Sequence, residues 1–477
     1  MNRPMLIVSN RLPIVVRNEA DGNWDVMPAS GGLITALRPI LAEYGGGWVG
    51  WPGTAEGAPL GELLGKLGGE LGCQFVPVEL SDRLVDGFYY GFSNETLWPL
   101  FHDLLGHARF EQDKWLAYEE SNRIFAEVVA KTVEPGNVIW VNDYQLILVG
   151  EELRKLGVKN PIAWFLHIPF PGPDLFARLP WREQIIRGML SNDLIGFQTQ
   201  RDLRNFAACV RQFISDADVD VGRNITTIRT CHGTVRAGAF PISIDSRDFE
   251  EKARAQEVQE AAWYIHEDYP NQQMLLGVDR LDYTKGIIAK FRAYERALEK
   301  YPDLNRRVTL LQIVIPSRAD IPEYGNWKAR MDQTVGEING RFAVGGWMPL
   351  HYMYRSVGFT ELLGYYRASE VCLVTPLKDG MNLVSKEYCA SCVEDNGVLI
   401  LSEFAGSAIQ LRDGALLVNP HDNEAMADAI HRAVNMPAAE RQSRMKRLRT
   451  GIRRNDVFRW IEGFIGSIPQ EPLSSNQ

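Results

Sequence analysis

The chain reads as an α/β protein made of two Rossmann-like domains, and three observations lead there. Short apolar runs of strand length alternate with segments of helical periodicity along the whole sequence. The runs are apolar throughout rather than alternating, the pattern of parallel strands buried on both faces. The 477 residues also exceed what one hydrophobic core organises, so two domains are expected. No self-similar period of solenoid type interrupts this pattern.

Taken in order, the first half predicts strands over 5–9, 138–141, 162–166 and 193–196. Between them a helix is expected over 112–131, where Trp115, Leu116, Ile124, Phe125 and Val128 follow helical spacing. The second half repeats the theme with strands over 273–278, 308–315, 371–375 and 398–402. A boundary is expected near Phe240-Pro-Ile-Ser-Ile-Asp245, where a proline-containing segment precedes a charged helix over 247–260. The expected division is 1–243, 244–452 and a terminal segment 453–477, whose last eight residues are polar and frayed. Two doubly wound units facing each other put the carboxyl ends of their strands on one cleft, where ligands bind.

Composition excludes several classes. The hydrophobic (45%) and charged (23%) fractions are those of globular proteins, which argues against disorder. With 51 basic and 60 acidic residues the net charge is −9, so no nucleic-acid role rests on overall charge. No apolar run is long enough to span a bilayer, and the N-terminal run is too short for a signal peptide. A cytoplasmic location and no membrane partner are the expectation. The six cysteines are scattered, as in a reduced protein. Cys389-Ala-Ser-Cys392 has C-x-x-C spacing but no second pair or nearby histidines, so a packed helix face is the better reading. Asp216-Ala-Asp218-Val-Asp220 lacks the glycine and glutamate of a calcium loop, having Val221 and Thr227 there, and is expected to be a solvated loop.

The most informative stretch is Thr375-Pro-Leu-Lys-Asp-Gly-Met-Asn-Leu-Val-Ser-Lys-Glu387. A buried strand, a glycine-containing turn and a helix start near Asn382 present backbone N–H groups to a phosphate or sugar hydroxyl. Asp379 and Glu387 add acceptors for hydroxyls, the pattern of a nucleotide-sugar site. Polar residues also cluster after other strands: Asn10 and Arg11, Asn142 and Asp143, His167, Asp279 with Arg280 and Lys285, and Arg318. Each alone is more often a cap or a surface residue; their convergence carries the inference. Arg280-Leu-Asp-Tyr-Thr-Lys-Gly286 places two cations on a turn entering a helix, suited to a pyrophosphate. His167-Ile-Pro-Phe-Pro171 holds an imidazole at a strand tip with a proline-fixed exit. Ser30-Gly-Gly-Leu33 is a weak glycine-loop signal, and Tyr89 to Trp98 suits either a sugar-binding face or an aromatic core.

In order along the chain, Ser9-Asn-Arg-Leu-Pro13, Ser30-Gly-Gly-Leu33, Trp48-Val-Gly-Trp51, Gly91-Phe-Ser-Asn94 with Trp98, Phe165-Leu-His-Ile-Pro-Phe-Pro171, Gly196-Phe-Gln198, Arg280 to Gly286 and Leu377 to Val384 closely resemble the trehalose-6-phosphate synthase family. The resemblance runs from residue 5 to about 465 and implies the GT-B fold. It makes the first domain acceptor-binding and the second nucleotide-sugar-binding. A C-terminal helix near Asp456-Val-Phe-Arg-Trp460 would return to the first domain. The implied reaction is retaining transfer of glucose from a nucleoside-diphosphate glucose to glucose 6-phosphate, with no cofactor and no metal.

The resemblance also implies roles. Arg11, Tyr89 and Arg318 would hold the acceptor phosphate, Trp51 and Trp98 would shape its pocket, and Asp143 would accept from the acceptor sugar. On the donor side, Gly31 and Gly32 would approach the nucleotide sugar, and Arg280 and Lys285 would neutralise its diphosphate. His167 and Asp379 would hold glucose hydroxyls beside Gly380, Met381, Asn382, Leu383 and Val384, with Glu387 on the ribose. Asp143, His167, Arg280, Lys285 and Asp379 form the expected catalytic set. One departure stands out: the family's usual His-Asp-Tyr-His segment is Asn142-Asp-Tyr-Gln145 here, with neutral amides in place of imidazoles. That keeps a related synthase with another acceptor, such as a glucosylglycerol-phosphate synthase or a pseudo-glycosyltransferase, as the alternative. A catalytically silent sugar-phosphate sensor is disfavoured because the donor-site groups all stand. The nucleobase and the oligomeric state, a homo-oligomer included, are not legible.

Overall fold

Each apolar run becomes a parallel strand because neighbouring structure covers it on both faces. The computed structural model describes residues 4–18, 24–28, 45–53, 59–71, 73–231, 233–316 and 322–469. In the first part of the chain the strands are β1 (Met5–Arg11), β2 (Ile14–Asn18), β3 (Trp24–Pro28), β4 (Gly46–Trp51), β5 (Gln74–Pro77), β6 (Val138–Asn142), β7 (Ile162–Phe165), β8 (Leu194–Phe197), β9 (Asp218–Val221), β10 (Ile225–Thr230) and β11 (Gly233–Ala239). Nine of them form one sheet in the order β5-β4-β1-β6-β7-β8-β11-β10-β9, while β2 and β3 form a separate hairpin. Pairing is parallel from β5 through β11 and antiparallel only at the β10 and β9 edge.

The later strands are β12 (Gln273–Arg280), β13 (Val308–Ile315), β14 (Leu350–Tyr354), β15 (Val371–Val374), β16 (Val398–Ser402) and β17 (Leu416–Val418). They form a six-stranded sheet, β14-β13-β12-β15-β16-β17, parallel throughout. Tertiary contacts divide the chain into Met1–Pro241 with Trp460–Gln477, and Ile242–Arg459.

Both sheets reverse their strand order once. In the first, β1 is followed on one side by β4 and β5 and on the other by β6, β7 and β8. In the second, β12 has β13 and β14 on one side and β15, β16 and β17 on the other. A crevice opens beyond the strand carboxyl ends at such a reversal, because the two crossovers leave in opposite directions. The β1/β6 and β12/β15 junctions are therefore where each sheet presents polar residues.

Local details depart from the sequence expectations in four places. The expected helix over 112–131 is Gln112–Thr132, but Leu116 is 54% exposed because it falls off the buried Trp115, Phe125 and Val129 face. The charged segment over 247–260 is two helices, Ser246–Ala253 and Gln256–Glu267, the first capped by the Asp245 carboxylate. Of the aspartate triplet Asp216 lies in a turn, but Asp218–Val221 is an edge strand paired to β10, with its charges outward. The helix after the 375–383 segment begins at Val384, two residues past Asn382, whose φ of 72° is left-handed. Cys389 and Cys392 are buried in the second unit's core as free thiols. No helix among the described residues is long and apolar enough to cross a membrane.

The helix Val457–Ile465 contributes Trp460 and Phe464 to the first unit. The Phe464 ring lies 4.9 Å from Trp140, 5.1 Å from Phe165 and 5.2 Å from Phe240, centroid to centroid. Gly196 makes room for it, since a Cβ there would sit 2.4 Å from the Phe165 ring and 2.7 Å from the Phe464 ring. Phe464→Ala is expected to lower stability by about 3–5 kcal/mol, read as a reduced urea midpoint at unchanged m-value.

Candidate active site

At the β1/β6 reversal, backbone irregularity aims the first cation. The β1–β4 register slips between Val8 and Arg11, which realigns Arg11 with Trp51. Ser9 supports the bend by donating to the Arg11 carbonyl (2.6 Å) while accepting from Trp48 Nε1 (2.7 Å). The Arg11 guanidinium then lies 5.0 Å from the centre of the Trp51 ring, a cation–π contact, and Trp51 lies 6.2 Å from Tyr89. An exposed cation on an aromatic ring that itself packs on a second ring suits a phosphorylated sugar.

Tyr89 is carried by a π-helix, Val85–Leu97, where the sequence left an aromatic stretch of undecided form. Its wide turns are held by Asn94, which donates to the Tyr89 carbonyl (2.7 Å) and accepts from the Tyr144 hydroxyl (2.9 Å). Trp98 is buried beneath this segment, 4.3 Å from the His102 ring and 5.7 Å from Tyr144.

β6 ends in Asn142 and Asp143. Asp143 has φ 74° and ψ 174°, a conformation few residues other than glycine adopt. It is held there by its surroundings: its N–H donates to Phe165 O (2.8 Å), its carbonyl accepts from Trp164 Nε1 (3.2 Å) and the Leu146 N–H (3.2 Å), and its carboxylate accepts the His167 N–H (3.2 Å). The His167 ring packs 4.7 Å from Phe165 and 6.4 Å from Trp460. Burial pushes its pKa down to about 3, so the imidazole is neutral at physiological pH.

At the β12/β15 reversal, Arg280 is exposed at the end of β12 and Lys285 lies on the following turn. Asp282 shapes that turn by accepting from the Thr284 N–H and hydroxyl, both at 2.9 Å. Gly286 closes it with φ 65°; a Cβ there would meet Thr375 O at 2.7 Å, so the β12 turn packs directly on the end of β15. Lys285 Nζ donates to Asp379 Oδ2 at 2.6 Å, with both side chains largely shielded from solvent. Asp379 also accepts from Asn382 Nδ2 (3.1 Å) and Met381 N–H (3.4 Å). Asn382 Oδ1 in turn accepts the Ser385 N–H (3.3 Å) at the start of the helix Val384–Ser391. Glu387, on the first turn of that helix, accepts from the Tyr366 hydroxyl (3.0 Å) while burial pushes its carboxyl pKa up. Of the expected site residues, Gly31, Gly32 and Arg318 lie outside the described residues.

Comparison with known proteins places this geometry. The chain matches the glycosyltransferase family 20 profile over residues 3–470. It is 40% identical over 475 residues to a trehalose-6-phosphate synthase of Mycolicibacterium gilvum, covering 98% of this chain and 94% of that protein. The chain belongs to glycosyltransferase family 20. Its fold matches a UDP-forming α,α-trehalose-phosphate synthase of Burkholderia xenovorans in complex with glucose-6-phosphate, with TM-score 0.87, 36% identity and coverage of 97% and 99% of the two chains. An E. coli structure bound with UDP-2-fluoro glucose matches with TM-score 0.85 and 33% identity over 97% of this chain and 98% of that one. The chain is accordingly a GT-B glycosyltransferase.

Within this family-20 chain the structure gives partners to Asn142, Gln198 and Asp279, which the sequence named without these contacts, and adds Lys290, Gln312 and Lys386. Asn142 is fully buried and turned toward His167, and Gln198 approaches the same ring from β8. In the second unit, Lys290 Nζ donates to Asp279 Oδ2 (2.6 Å) and Gln312 Oε1 (3.2 Å) beneath the Arg280 turn, all three groups buried. Lys386 is buried between Ser385 and Glu387, its Nζ donating to the Ile242 carbonyl (2.7 Å). For Lys290 and Lys386 the sequence signal is an ionisable residue on an otherwise apolar face, which is too common to single out.

Burial lowers the Lys386 pKa to about 7. Below pH 7 both folded and unfolded chains hold the proton, and the folded state bears the full cost of the buried charge. Between pH 7 and the unfolded pKa of about 10.4 only the unfolded chain keeps it, so stability rises with pH. Lys386→Met is therefore expected to be more stable than the parent, by most at pH 6 and by progressively less toward pH 9.5 in parallel urea titrations.

Proposed function

We propose that this chain is an α,α-trehalose-6-phosphate synthase, moving glucose from UDP-glucose to the anomeric hydroxyl of glucose 6-phosphate with retention and releasing UDP. The reading rests on one conjunction. An Arg–Trp–Tyr cluster at one strand-order reversal and a Lys–Asp pair at the other occur in a chain that resembles trehalose-6-phosphate synthases over 98% of its length. The choice of uridine follows the relatives whose names carry it.

Each residue's role follows from the charge the reaction develops. Breaking the glucosyl–phosphate bond builds positive charge on the sugar and negative charge on the departing diphosphate. Arg280 and Lys285 stabilise that diphosphate, and the N–H groups of Gly380 to Val384 meet its phosphates or the sugar. Lys285 is shared between phosphate oxygen and Asp379, whose carboxylate takes glucose hydroxyls with His167; Glu387 takes the ribose. Arg11, Tyr89 and Arg318 bind the acceptor phosphate against Trp51, with Trp98 behind, and Asp143 accepts from the acceptor sugar. Gly31 and Gly32 approach the donor. The acceptor attacks the face the diphosphate leaves, and the leaving phosphate oxygen takes its proton, so the stereochemistry is retained without a carboxylate nucleophile.

The family departure at Asn142 falls on a buried amide directed at His167 and two backbone carbonyls. Acceptor choice then stays with Arg11, Tyr89 and their neighbours, which favours glucose 6-phosphate over glycerol 3-phosphate.

Offered both acceptors together with UDP-glucose, the protein is expected to form trehalose 6-phosphate; predominant glucosylglycerol phosphate would overturn the acceptor assignment. Glucose 6-phosphate should exceed free glucose by about 100-fold or more in kcat/KM, because an empty phosphate site leaves its cations uncompensated. Arg280→Ala and Lys285→Ala should each lose about 100-fold in kcat, near 3 kcal/mol, while remaining folded, with the midpoint lowered only in Lys285→Ala, which takes the cation from the shielded Asp379. EDTA should leave turnover intact, since the protein's own cations serve the diphosphate; loss restored by magnesium would contradict this.

A further inference from the structure

We propose that Asn142 is a positioning residue for glucosyl transfer: its buried amide fixes His167 as the tautomer protonated on Nε2, leaving Nδ1 as a lone-pair acceptor for a hydroxyl of the donor sugar. The argument starts from the orientation of the amide. Asn142 Nδ2 lies 3.2 Å from Trp140 O and 3.5 Å from Val8 O. Carbonyl oxygens accept and never donate, so the NH2 end must face them and Oδ1 must point the other way. There Oδ1 meets His167 Nε2 at 3.1 Å. A buried amide oxygen requires a donor, and the imidazole supplies one only if Nε2 carries hydrogen.

The rest of the ring's surroundings agree. With Nε2 protonated, a neutral imidazole has a bare Nδ1, and Gln198 Nε2 faces it at 3.4 Å, a donor to that lone pair. Among the described residues the groups packed on the ring are uncharged: β6 presents Asn142, β7 presents Phe165, the turn after β8 presents Gln198, and the C-terminal helix presents Trp460. The adjoining Asp143 carboxylate accepts the backbone N–H of His167 (3.2 Å). Burial disfavours the imidazolium, so the tautomer persists across physiological pH. Gln198 holds Nδ1 through a long and therefore weak bond, which a sugar hydroxyl can replace by donating to the same lone pair.

A titratable side chain at position 142 would change this. An imidazole there can donate as well as accept and so permits either tautomer of His167. A carboxylate would hold a proton on His167 by charge. Asn142 does neither, which makes it the residue through which this chain sets the state of His167.

The sugar-hydroxyl clause rests on the transferase reading above; the tautomer does not, and it can be read without substrate. In full-length protein labelled with 15N at histidine, long-range proton–nitrogen correlations are recorded from pH 5 to 8, with the His167 signals identified by their loss in His167→Gln. The expected pattern is a protonated Nε2 and a bare Nδ1 that do not move with pH. A proton on Nδ1, or a ring that titrates in that window, would overturn the proposal. Asn142→Asp, nearly the same shape, should raise the His167 pKa by about two units or more, into the pH window recorded, and give kcat/KM for UDP-glucose a matching new limb. Asn142→Leu should lower kcat/KM for UDP-glucose by about tenfold while changing KM for glucose 6-phosphate by less than about twofold. Wild-type donor kinetics in both variants would also overturn it. Should the Nε2–H pattern appear in protein that forms no trehalose 6-phosphate, the transferase reading fails and the tautomer stands.

Discussion

Parallel strands can be joined only by crossovers, and where successive crossovers leave a strand in opposite directions nothing covers its carboxyl end. That constraint organises everything polar in this molecule. β1 and β6 part company in the first sheet and β12 and β15 in the second. Arg11, Asn142 and Asp143 stand at the first parting; Arg280, Lys285 and Asp379 stand at the second. The long apolar strands matter because they bring these few residues to a defined edge. The helix Val457–Ile465 then packs Trp460 and Phe464 on Trp140 of β6 and Phe165 of β7, with Trp460 beside the His167 ring.

Both partings also carry a residue in a left-handed conformation that is not glycine: Asp143 at φ 74° and Asn382 at φ 72°. Such a conformation costs on the order of 1–3 kcal/mol and persists where surrounding contacts over-determine it. Here the contacts are explicit. Asp143 is held through its N–H, its carbonyl and its carboxylate, and Asn382 is held by donating to Asp379 and accepting from Ser385. Strain at these points turns a strand end into a directed carboxylate on one side and an ordered loop on the other.

Charge in the second unit follows a matching logic of satisfaction at depth. Lys290 is fully buried and paired with Asp279 and Gln312, an arrangement that tolerates no Cβ at position 277, where it would lie 2.1 Å from Gln312 Oε1. Lys386 has a carbonyl in place of a carboxylate and stays buried at a cost to stability. Lys285 is paired with Asp379. Of these three lysines the least buried is the one assigned to the diphosphate.

Much of this was legible before any fold was built. Fully apolar runs bounded by polar turns can satisfy their burial only as parallel strands, so the sequence determined the α/β class, the approximate strands and the clustering of Arg11, Asp143, His167, Arg280 and Asp379 at strand ends. Its motif series also carried the family. Tertiary structure alone decided the contacts that depend on register and on residues far apart in the chain. The slip between Val8 and Arg11 that aligns Arg11 with Trp51, the π-helical turn of Tyr89, and the edge strand at Asp218–Val221 have no local signature, because each is imposed by a partner strand or helix. The same holds for Asn142, whose amide is oriented by carbonyls of Trp140 and of Val8, the latter 134 residues away. A one-dimensional sequence can name a hydrogen-bonding group, but which way it points is set by the neighbours that folding brings to it.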